Sequence, residues 1–461
     1  MTSVGNKPIV VLKFGGTSVA TEQGRAAICA RVTEQQAVGK SPVVVVSAMG
    51  RRGDPYATDT LLDLVAPDTL TPEERDLLAS CGELISAVVV ASQLRGAGIC
   101  AEALTGAGAG ILTDENFNAA HILSVATGPV LARCARDCVP VVCGFQGMAP
   151  SGRLTTLGRG GSDTTASALG VALGAEAVAI YTDVDGVMTA DPRQVPDARV
   201  IDTIRADELF QMAQRGSKVV HTPAAELALS SGVSLLVKNT YSEHPGTRVV
   251  DLAAYRPGEV ATAVASTSDV ARFTVELGDC EGAACHLRAQ AEIYRRLARD
   301  GISLDMFTPA GERLYFTIRQ GDTPAVEAAL TELRLGFERQ DELCMVTLIG
   351  AGMHGVPGVM ARIATALEGA GIDIFQVADS HTTIAVLIPE AYEADALRAL
   401  HAAFELAGAT AGRAPSAESS PRISEGAIAE TSGDCGLSPD DTIFPAAPTG
   451  GFGGGKDQPY A

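Results

Sequence analysis

Residues 155–168, which read TTLGRGGSDTTASA, constrain the fold of this chain more than any other stretch. They follow an apolar run at 139–145 and precede a segment with helical spacing, so they predict a loop between a strand and a helix. Glycines let a ligand approach the main chain, and the unpaired amides at a helix start attract anions. The candidates for the helix N-cap are Ser162, Asp163, Thr164 and Thr165. Because Arg159 adds a guanidinium suited to a carboxylate or phosphate, we expect the loop to hold a small anion.

Two continuous apolar runs, residues 9–14 and 43–47, predict strands of a parallel sheet that is covered on both faces. The first run carries Lys13 near its end and is followed by Gly15 and Gly16. An ammonium and two glycines at the end of a strand suit a polyphosphate, because open α/β sheets bind ligands at that edge. Taken alone, this string more often indicates a surface lysine before a turn.

Two acidic features are ambiguous by themselves. Glu83 interrupts the apolar face of a helix predicted at 72–94, and because burying an unpaired carboxylate is costly, it is best interpreted in isolation as a surface side chain. Asp183 and Asp185 follow a strand predicted at 177–182. Their spacing fits Mg²⁺ ligands but favours a turn that caps itself.

Three segments, taken together and in this order, resemble the aspartate kinases of the amino-acid kinase family. They are KFGGTSV at 13–19, GRGGSDTTA at 158–166 and YTDVDGVMTADPR at 181–193. The resemblance implies an α/β fold, the amino-acid kinase fold with a largely parallel central sheet, in residues 1–255. It also implies an enzyme that transfers the γ-phosphoryl group of MgATP to the β-carboxylate of L-aspartate and so makes 4-phospho-L-aspartate.

The same resemblance assigns roles to the residues of these motifs. It implies that Lys13 and Asp163 are the catalytic pair, with Lys13 neutralising charge on the phosphates and Asp163 holding Lys13 in place. Glu83 would bind the α-ammonium group of the substrate, and Arg159 its α-carboxylate. The residues expected to contact L-aspartate are Thr58, Glu83, Arg159 and Ser162.

For the nucleotide, the resemblance implies a site at the ends of several strands, with Mg²⁺ carried by ATP and not held in an all-protein metal site. Met188 stands where many relatives carry an aromatic residue. The residues implied in ATP binding are Lys13, Gly15, Gly16, Ser47, Gly161, Thr182, Asp183, Met188, Arg193 and Lys218.

After residue 255 the chain repeats one order of predicted elements. The first copy has a strand, a helix, two strands and a helix at 272–277, 287–300, 302–307, 314–319 and 323–335. The second copy has the same order at 344–349, 357–371, 372–378, 383–388 and 392–406. This βαββαβ-like repeat of about 70 residues, whose final strands are poorly marked, predicts two ferredoxin-like α+β modules at 264–340 and 343–411.

The two modules resemble ACT domains, the amino-acid sensors that are appended to aspartate kinases. The second copy has the better signature, GVPGVMARIATALEGAGIDI. The resemblance implies feedback by an amino-acid effector, with meso-diaminopimelate ranked before lysine and threonine, and a homodimer formed through the ACT modules. The residues expected near the effector are Asp305, Met353, Val356 and Asp373.

Composition excludes some partners and predicts a location. A net charge of −20 over 461 residues argues against nucleic acid or an anionic membrane as the main partner. Without a signal pattern or a long apolar run, a cytoplasmic protein is expected. Ten cysteines without a CxxC pair favour reduced, mostly buried thiols. Residues 414–461, poor in apolar groups, are predicted to be a disordered tail.

Other interpretations are weaker. The GxGxxG string at 350–355 leaves too few residues for a dinucleotide-binding sheet, and the string at 450–457 lacks the hydroxyl of a P-loop. Two other functions stay open. One is a non-catalytic amino-acid sensor with a decayed kinase domain, and the other is a kinase for glutamate, acetylglutamate or a nucleotide.

Overall fold

The protein is described here from a computed structural model. The structure describes residues 7–214, 222–251, 260–278, 283–353 and 355–408, and all of them belong to one compact unit, Met1–Ala411. Lys218 and the predicted tail at 414–461 lie outside the described residues.

The N-terminal half is built on a large sheet and a small one. Its strands are β1 Ile9–Phe14, β2 Ser41–Val46, β3 Ala101–Leu104, β4 Ile111–Thr113, β5 Ile122–Val125, β6 Val139–Cys143, β7 Gln146–Met148, β8 Leu154–Thr156, β9 Ala177–Thr182, β10 Thr203–Arg205, β11 Ser234–Asn239 and β12 Thr247–Val250. The large sheet has the order β10-β12-β11-β9-β1-β2-β6-β3. Its neighbouring strands are all parallel except β11 and β12. The small sheet has the order β5-β4-β7-β8.

Helices cover both faces of the large sheet. They are α1 Gly16–Ala20, α2 Glu22–Ala37, α3 Thr58–Leu62, α4 Pro72–Ala79, α5 Cys81–Gly96, α6 Gly128–Cys134, α7 Gly161–Ala172, α8 Ala206–Gln214 and α9 Thr222–Ser230. Because alternate residues of a strand face opposite sides, Val43 and Val45 of β2 join one core cluster while Val44 and Val46 join another. All four are fully buried, which confirms the predicted parallel sheet with two covered faces.

The helix predicted at 72–94 is divided at Ser80 into α4 and α5. The Ser80 hydroxyl donates to the Leu77 carbonyl at 2.8 Å, a local bond that competes with the helical ladder. By length and composition Pro72–Gly96 is apolar enough to cross a membrane, but half of its most apolar 18-residue window is buried inside the protein. This burial is typical of a core helix.

The C-terminal half forms a third sheet, antiparallel throughout, with helices packed on it. Its strands are β13 Ala263–Glu276, β14 Phe307–Ala310, β15 Arg313–Arg319, β16 Phe337–Ile349, β17 Gln376–Asp379 and β18 Thr383–Pro389. Its helices are α10 Ala283–Arg299, α11 Thr323–Glu332, α12 Val359–Gly369 and α13 Glu393–Ala403. The sheet order β14-β15-β13-β16-β18-β17 contains both repeats side by side.

Two long strands are shared between the repeats. The end of β13 pairs with the start of β16, as Val275 with Phe337, and the start of β13 pairs with the end of β16, as Ala263 with Ile349. The two halves of β16 thus face opposite ends of β13 and serve different repeats. The module boundary predicted after residue 340 falls inside β16.

The middle strands of the repeats begin later than predicted. Ile302 and Ile372 were expected to start strands, but each donates its amide to a helix carbonyl, of Leu297 at 3.0 Å and of Leu367 at 3.0 Å. Each follows a glycine with positive φ, so the pair closes the preceding helix. The strands start only at Phe307 and at Gln376.

The prediction that the cysteines are reduced is wrong in part. Cys100 and Cys138 form a disulfide with a Cα–Cα distance of 4.6 Å, and Cys285 is also disulfide-bonded. Ala101 pairs with Val139 across β3 and β6, which brings the two preceding cysteines together. A separation of 38 residues gave no signal of this contact.

Candidate active site

The site lies where the parallel strands of the large sheet end. The chain runs from β1 to β2 on one side, while β9 lies on the other side of β1. A crevice forms at such a reversal of strand order, and ligands of open α/β sheets bind there. Two cavities open at this edge.

The first, here the Lys13 cavity, has a volume of about 560 Å³. It brings together residues predicted from separate motifs. They are Lys13, Ser47, Thr58, Glu83, Arg159, Gly161, Ser162 and Asp163. It is therefore lined by every residue that the sequence assigned to L-aspartate.

An ion pair joins the β1 end to the start of α7. The Lys13 ammonium lies 2.6 Å from Asp163 Oδ1, and both side chains are almost buried. A Cβ added at Gly15 would lie 3.9 Å from Lys13 Nζ, so the ammonium stands over the glycine turn. The pair fixes a positive charge at the end of the central strand.

Glycines shape the start of α7. Gly160 is the N-cap, so the four side chains predicted as caps are not the cap. Gly158 and Gly160 both have φ of +72°, a conformation that favours glycine. A Cβ at Gly161 would stand 2.8 Å from the Phe145 ring. The loop therefore presents main chain to the cavity, together with the exposed side chain of Arg159, which lies between Gly158 and Gly160.

Glu83 is the unusual carboxylate of the site. It lies in the first turn of α5 and is only 3% exposed, so its interpretation as a surface side chain is wrong. Its Oε1 accepts the Ala48 amide at 2.9 Å, whereas Oε2 has no hydrogen-bond partner among the described residues. Burial raises the pKa of Glu83 to about 8. A ligand ammonium would satisfy the second oxygen.

The second cavity, here the Asp183 cavity, has a volume of about 640 Å³. It is lined by Thr182, Asp183, Met188 and Arg193, four of the residues that the resemblance implies in ATP binding. Asp183 pairs with Arg51 at 3.3 Å, a residue that the sequence did not single out. Residues of the C-terminal half complete the lining with Val264, Ala265, Ser266, Glu393 and Leu397.

Gly16 fixes the approach of two loops next to these cavities. A Cβ there would lie 2.5 Å from the Ala48 carbonyl and 2.8 Å from the Gly50 carbonyl. The Gly50 amide also donates to the Gly16 carbonyl at 3.0 Å. The glycine therefore holds the β2 loop against the β1 turn.

The residues expected near an effector lie in the C-terminal half, apart from both cavities. Met353 is buried in a core cluster that includes Val359, whereas Val356 is 43% exposed. Asp305 and Asp373 follow α10 and α12. None of these four lines the Lys13 or Asp183 cavity.

Sequence reasoning missed Asp76 and Asn118. Asn118 lines the Lys13 cavity. Asp76 is a fully buried carboxylate that accepts a hydrogen bond from the backbone amide of Asn118. The sequence carries little signal of Asp76, because it lies in α4, PEERDLLA, where four of the eight residues are charged.

Comparison with known proteins identifies the family. A model of the amino acid kinase family matches residues 8–239, and a model of the ACT domain matches residues 338–402. The chain is 41% identical over 407 residues to aspartokinase 1 of Bacillus subtilis (strain 168), covering 86% of this chain and 99% of that protein. It is 38% identical over 419 residues to the aspartokinase of Mycolicibacterium smegmatis, covering 87% and 97%.

Solved structures agree. E. coli aspartokinase III in complex with aspartate and ADP, in its R-state, superposes with a TM-score of 0.69 at 26% identity, covering 86% of this chain and 100% of that chain. The same enzyme with lysine and aspartate, in its T-state, gives a TM-score of 0.69 at 25% identity, covering 86% and 99%. With a family model matching half of it and relatives aligned over nearly their whole length, the chain belongs to the amino acid kinase family and, within it, to the aspartate kinases.

Proposed function

We propose that the Lys13 cavity binds L-aspartate and that the Asp183 cavity binds the nucleotide of ATP. The activity is that of the family, transfer of the γ-phosphoryl group of ATP to the β-carboxylate of L-aspartate. One observation carries the assignment of sites. Glu83 and Arg159, whose charges are opposite when Glu83 is ionised, line one cavity together with the Lys13–Asp163 pair.

Opposite charges explain the choice of substrate. Arg159 offers a planar fork to the α-carboxylate, and the unpaired Oε2 of Glu83 receives the α-ammonium group. Two charges in fixed places admit an amino acid in one orientation and direct its side chain toward Lys13. Thr58 and Ser162 offer hydroxyls at the same cavity.

Transfer then depends on position and charge. The β-carboxylate is already an anionic nucleophile, so no general base is needed. Lys13, held by Asp163, stabilises the charge on the transferring phosphoryl group, and the amides of Gly15 and Gly16 add donors. The Gly161 amide donates to the Gly158 carbonyl at 3.0 Å, so Gly161 contributes close approach of the main chain and not a free donor.

Mg²⁺ travels with the ATP phosphates in this proposal. Among the described residues, no group of three or more His, Cys, Asp or Glu side chains is placed to hold a metal ion. A Mg²⁺ ion that keeps several waters and binds phosphate oxygens needs no protein cage. Thr182, Asp183, Met188 and Arg193 contact the rest of the nucleotide.

The raised pKa of Glu83 predicts a pH dependence. Below about pH 8 the free enzyme carries Glu83 protonated, and the neutral acid does not attract an ammonium. The aspartate KM should therefore fall as pH rises from 6 toward 8, by up to about tenfold per pH unit. Measuring the aspartate KM at saturating ATP from pH 6 to 8 tests this prediction.

Glu83→Gln should raise the aspartate KM and remove its fall between pH 6 and 8. In the wild-type enzyme the raised pKa of Glu83 makes the free energy of unfolding fall as pH rises from about 4.5 to 8. Glu83→Gln has no carboxyl group to ionise, so this fall should be absent from the variant. Glu73→Gln, at an exposed ion pair with Arg153, is the control. An unchanged KM profile in Glu83→Gln contradicts the assignment.

The C-terminal modules bind an amino-acid effector in this proposal. The related E. coli enzyme was solved with lysine. For this chain meso-diaminopimelate ranks first, then lysine and threonine, with Asp305, Met353, Val356 and Asp373 near the effector, and the modules form a homodimer. A net charge of −20 makes nucleic acid and membranes poor partners, and a cytoplasmic location fits.

Steady-state phosphorylation of L-aspartate, trapped as the hydroxamate, tests activity and effector together. The candidate effectors meso-diaminopimelate, lysine and threonine should be added singly and in pairs. We expect activity on aspartate, none on glutamate, and inhibition by meso-diaminopimelate. Inhibition by lysine or threonine alone would contradict the ranking, and absence of inhibition would contradict an effector role for the modules.

A further inference from the structure

We propose that Asp76 is a positioning residue for the aspartate kinase reaction. Its carboxylate holds two segments of the Lys13 cavity in the geometry that presents Arg159 to the substrate. Asp76 lies in α4, is fully buried and does not line the cavity. It therefore acts through the residues that it binds.

Four hydrogen bonds converge on Asp76. The backbone amide of Asn118 donates to both carboxylate oxygens of Asp76, each at 3.0 Å. Thr156 donates from its amide to Oδ2 at 2.8 Å and from its hydroxyl to Oδ1 at 2.6 Å. Charged acceptors make the stronger hydrogen bonds, and a carboxylate withdrawn from water persists only when its oxygens are satisfied.

Both donors adjoin the loop that carries Arg159. Thr156 ends β8, two residues before Gly158, and a Cβ added at Gly158 would lie 3.1 Å from the Asn118 carbonyl oxygen. Asn118 has φ of +68°, an uncommon conformation for a residue with a side chain. Surrounding bonds must maintain it, so loss of Asp76 would release the surface on which Gly158 packs.

Asp76 also links this loop to the other charge of the site. Its helix α4 leads through Ser80 into α5, whose first turn carries Glu83. A single buried carboxylate thus connects the segment before Glu83 to the loop before Arg159. The inference rests on the proposed binding of aspartate between these two residues.

Asp76→Ala should raise the aspartate KM by about tenfold to a hundredfold, because small displacements of binding groups have effects of this size. The ATP KM should stay within about twofold, since the Asp183 cavity has no contact with Asp76 among the described bonds. Asp76→Asn keeps an oxygen for the two amides and an NH₂ for the Thr156 hydroxyl. It should therefore retain an aspartate KM within about threefold of wild type.

Glu208 provides a matched control. It is a fully buried carboxylate that accepts the Thr262 hydroxyl at 2.7 Å and the amides of Ala351 and Arg205 at 2.8 and 3.2 Å. It lines neither cavity. Glu208→Ala should lower the melting temperature as Asp76→Ala does and leave the aspartate KM unchanged.

The outcomes separate two failures. An Asp76→Ala enzyme that is less stable but has an unchanged aspartate KM overturns the inference, as does an Asp76→Asn enzyme as impaired as Asp76→Ala. If Asp76→Ala does not fold, Thr156→Val removes one of the four bonds and should raise the aspartate KM severalfold; an unchanged KM overturns the inference. If Arg159→Ala leaves the aspartate KM unchanged, the proposed substrate site itself is wrong.

Discussion

Lys13→Met should lower kcat by about a hundredfold to a thousandfold, with a much smaller change in the aspartate KM. The lysine ammonium is held 2.6 Å from Asp163 in a nearly buried pair at the end of the central strand. A charge fixed in a site with little water stabilises the transition state more than it would in solvent, and methionine keeps the length of the side chain but not the charge. Steady-state kinetics with both substrates measures the effect.

The control for this change is Lys40→Met. Lys40 also pairs with a carboxylate, Glu176 at 2.9 Å, but it lies just before β2 at the opposite end of the strands. That variant should keep wild-type kinetics. Lys13→Met removes the cation beside the nearly buried Asp163 and should lose stability, which the double variant Lys13→Met with Asp163→Asn should partly restore. A Lys13→Met enzyme with kcat near wild type contradicts the catalytic role.

Arg159→Ala should raise the aspartate KM by about a hundredfold while the ATP KM changes little. The exposed guanidinium belongs to the glycine loop and lines the Lys13 cavity, where a substrate carboxylate would make charge-assisted hydrogen bonds. Arg159→Lys should recover only part of the affinity, because an ammonium lacks the planar fork. Initial rates with each substrate varied in turn provide both KM values.

Arg153 supplies a control on the adjacent segment. It is an exposed arginine paired with Glu73 and does not line the cavity. Arg153→Ala should leave both KM values near wild type. Equal increases in the aspartate and ATP KM values of Arg159→Ala would contradict its assignment to the α-carboxylate.

Local signals predicted the part of the site that local structure builds. Lys13 and the Gly158–Arg159–Gly160 loop each sit at an end of a strand or the start of a helix, so the chain itself sets their position. Because parallel strands end at one edge, separate motifs could be expected to meet there, and the Lys13 cavity brings them together. The amino-acid kinase fold and the aspartate kinase family are confirmed.

Contacts between distant segments were the ones that the sequence did not reveal. In the sequence Asp76 is one of four charged residues of α4, and only the structure shows that Asn118 and Thr156, 42 and 80 residues away, donate to it. The Cys100–Cys138 disulfide depends in the same way on the pairing of β3 with β6. Such partners follow from tertiary packing, which residue spacing along one helix or strand does not encode.

The strands β14 and β17 start later than predicted because a local helix-ending signal was interpreted as the start of a strand. Gly301-Ile302 and Gly371-Ile372 were interpreted as the entry to a strand, yet both isoleucines close a helix through an amide bond. A glycine followed by an apolar residue is the signature of that helix end, since the apolar side chain packs back on the helix. The poorly marked final strands have another explanation, because β13 and β16 are each shared by two repeats.

Because β13 and β16 are shared, the two C-terminal modules form a single structural unit that evolves as a whole. Neither can be excised, duplicated or exchanged with a relative alone, since a cut anywhere in β16 removes a strand from both. A chimera that transfers effector specificity would have to exchange the whole segment from β13 to α13. Substitutions selected in one repeat are then constrained by the packing of the other, and the pair diverges as one unit.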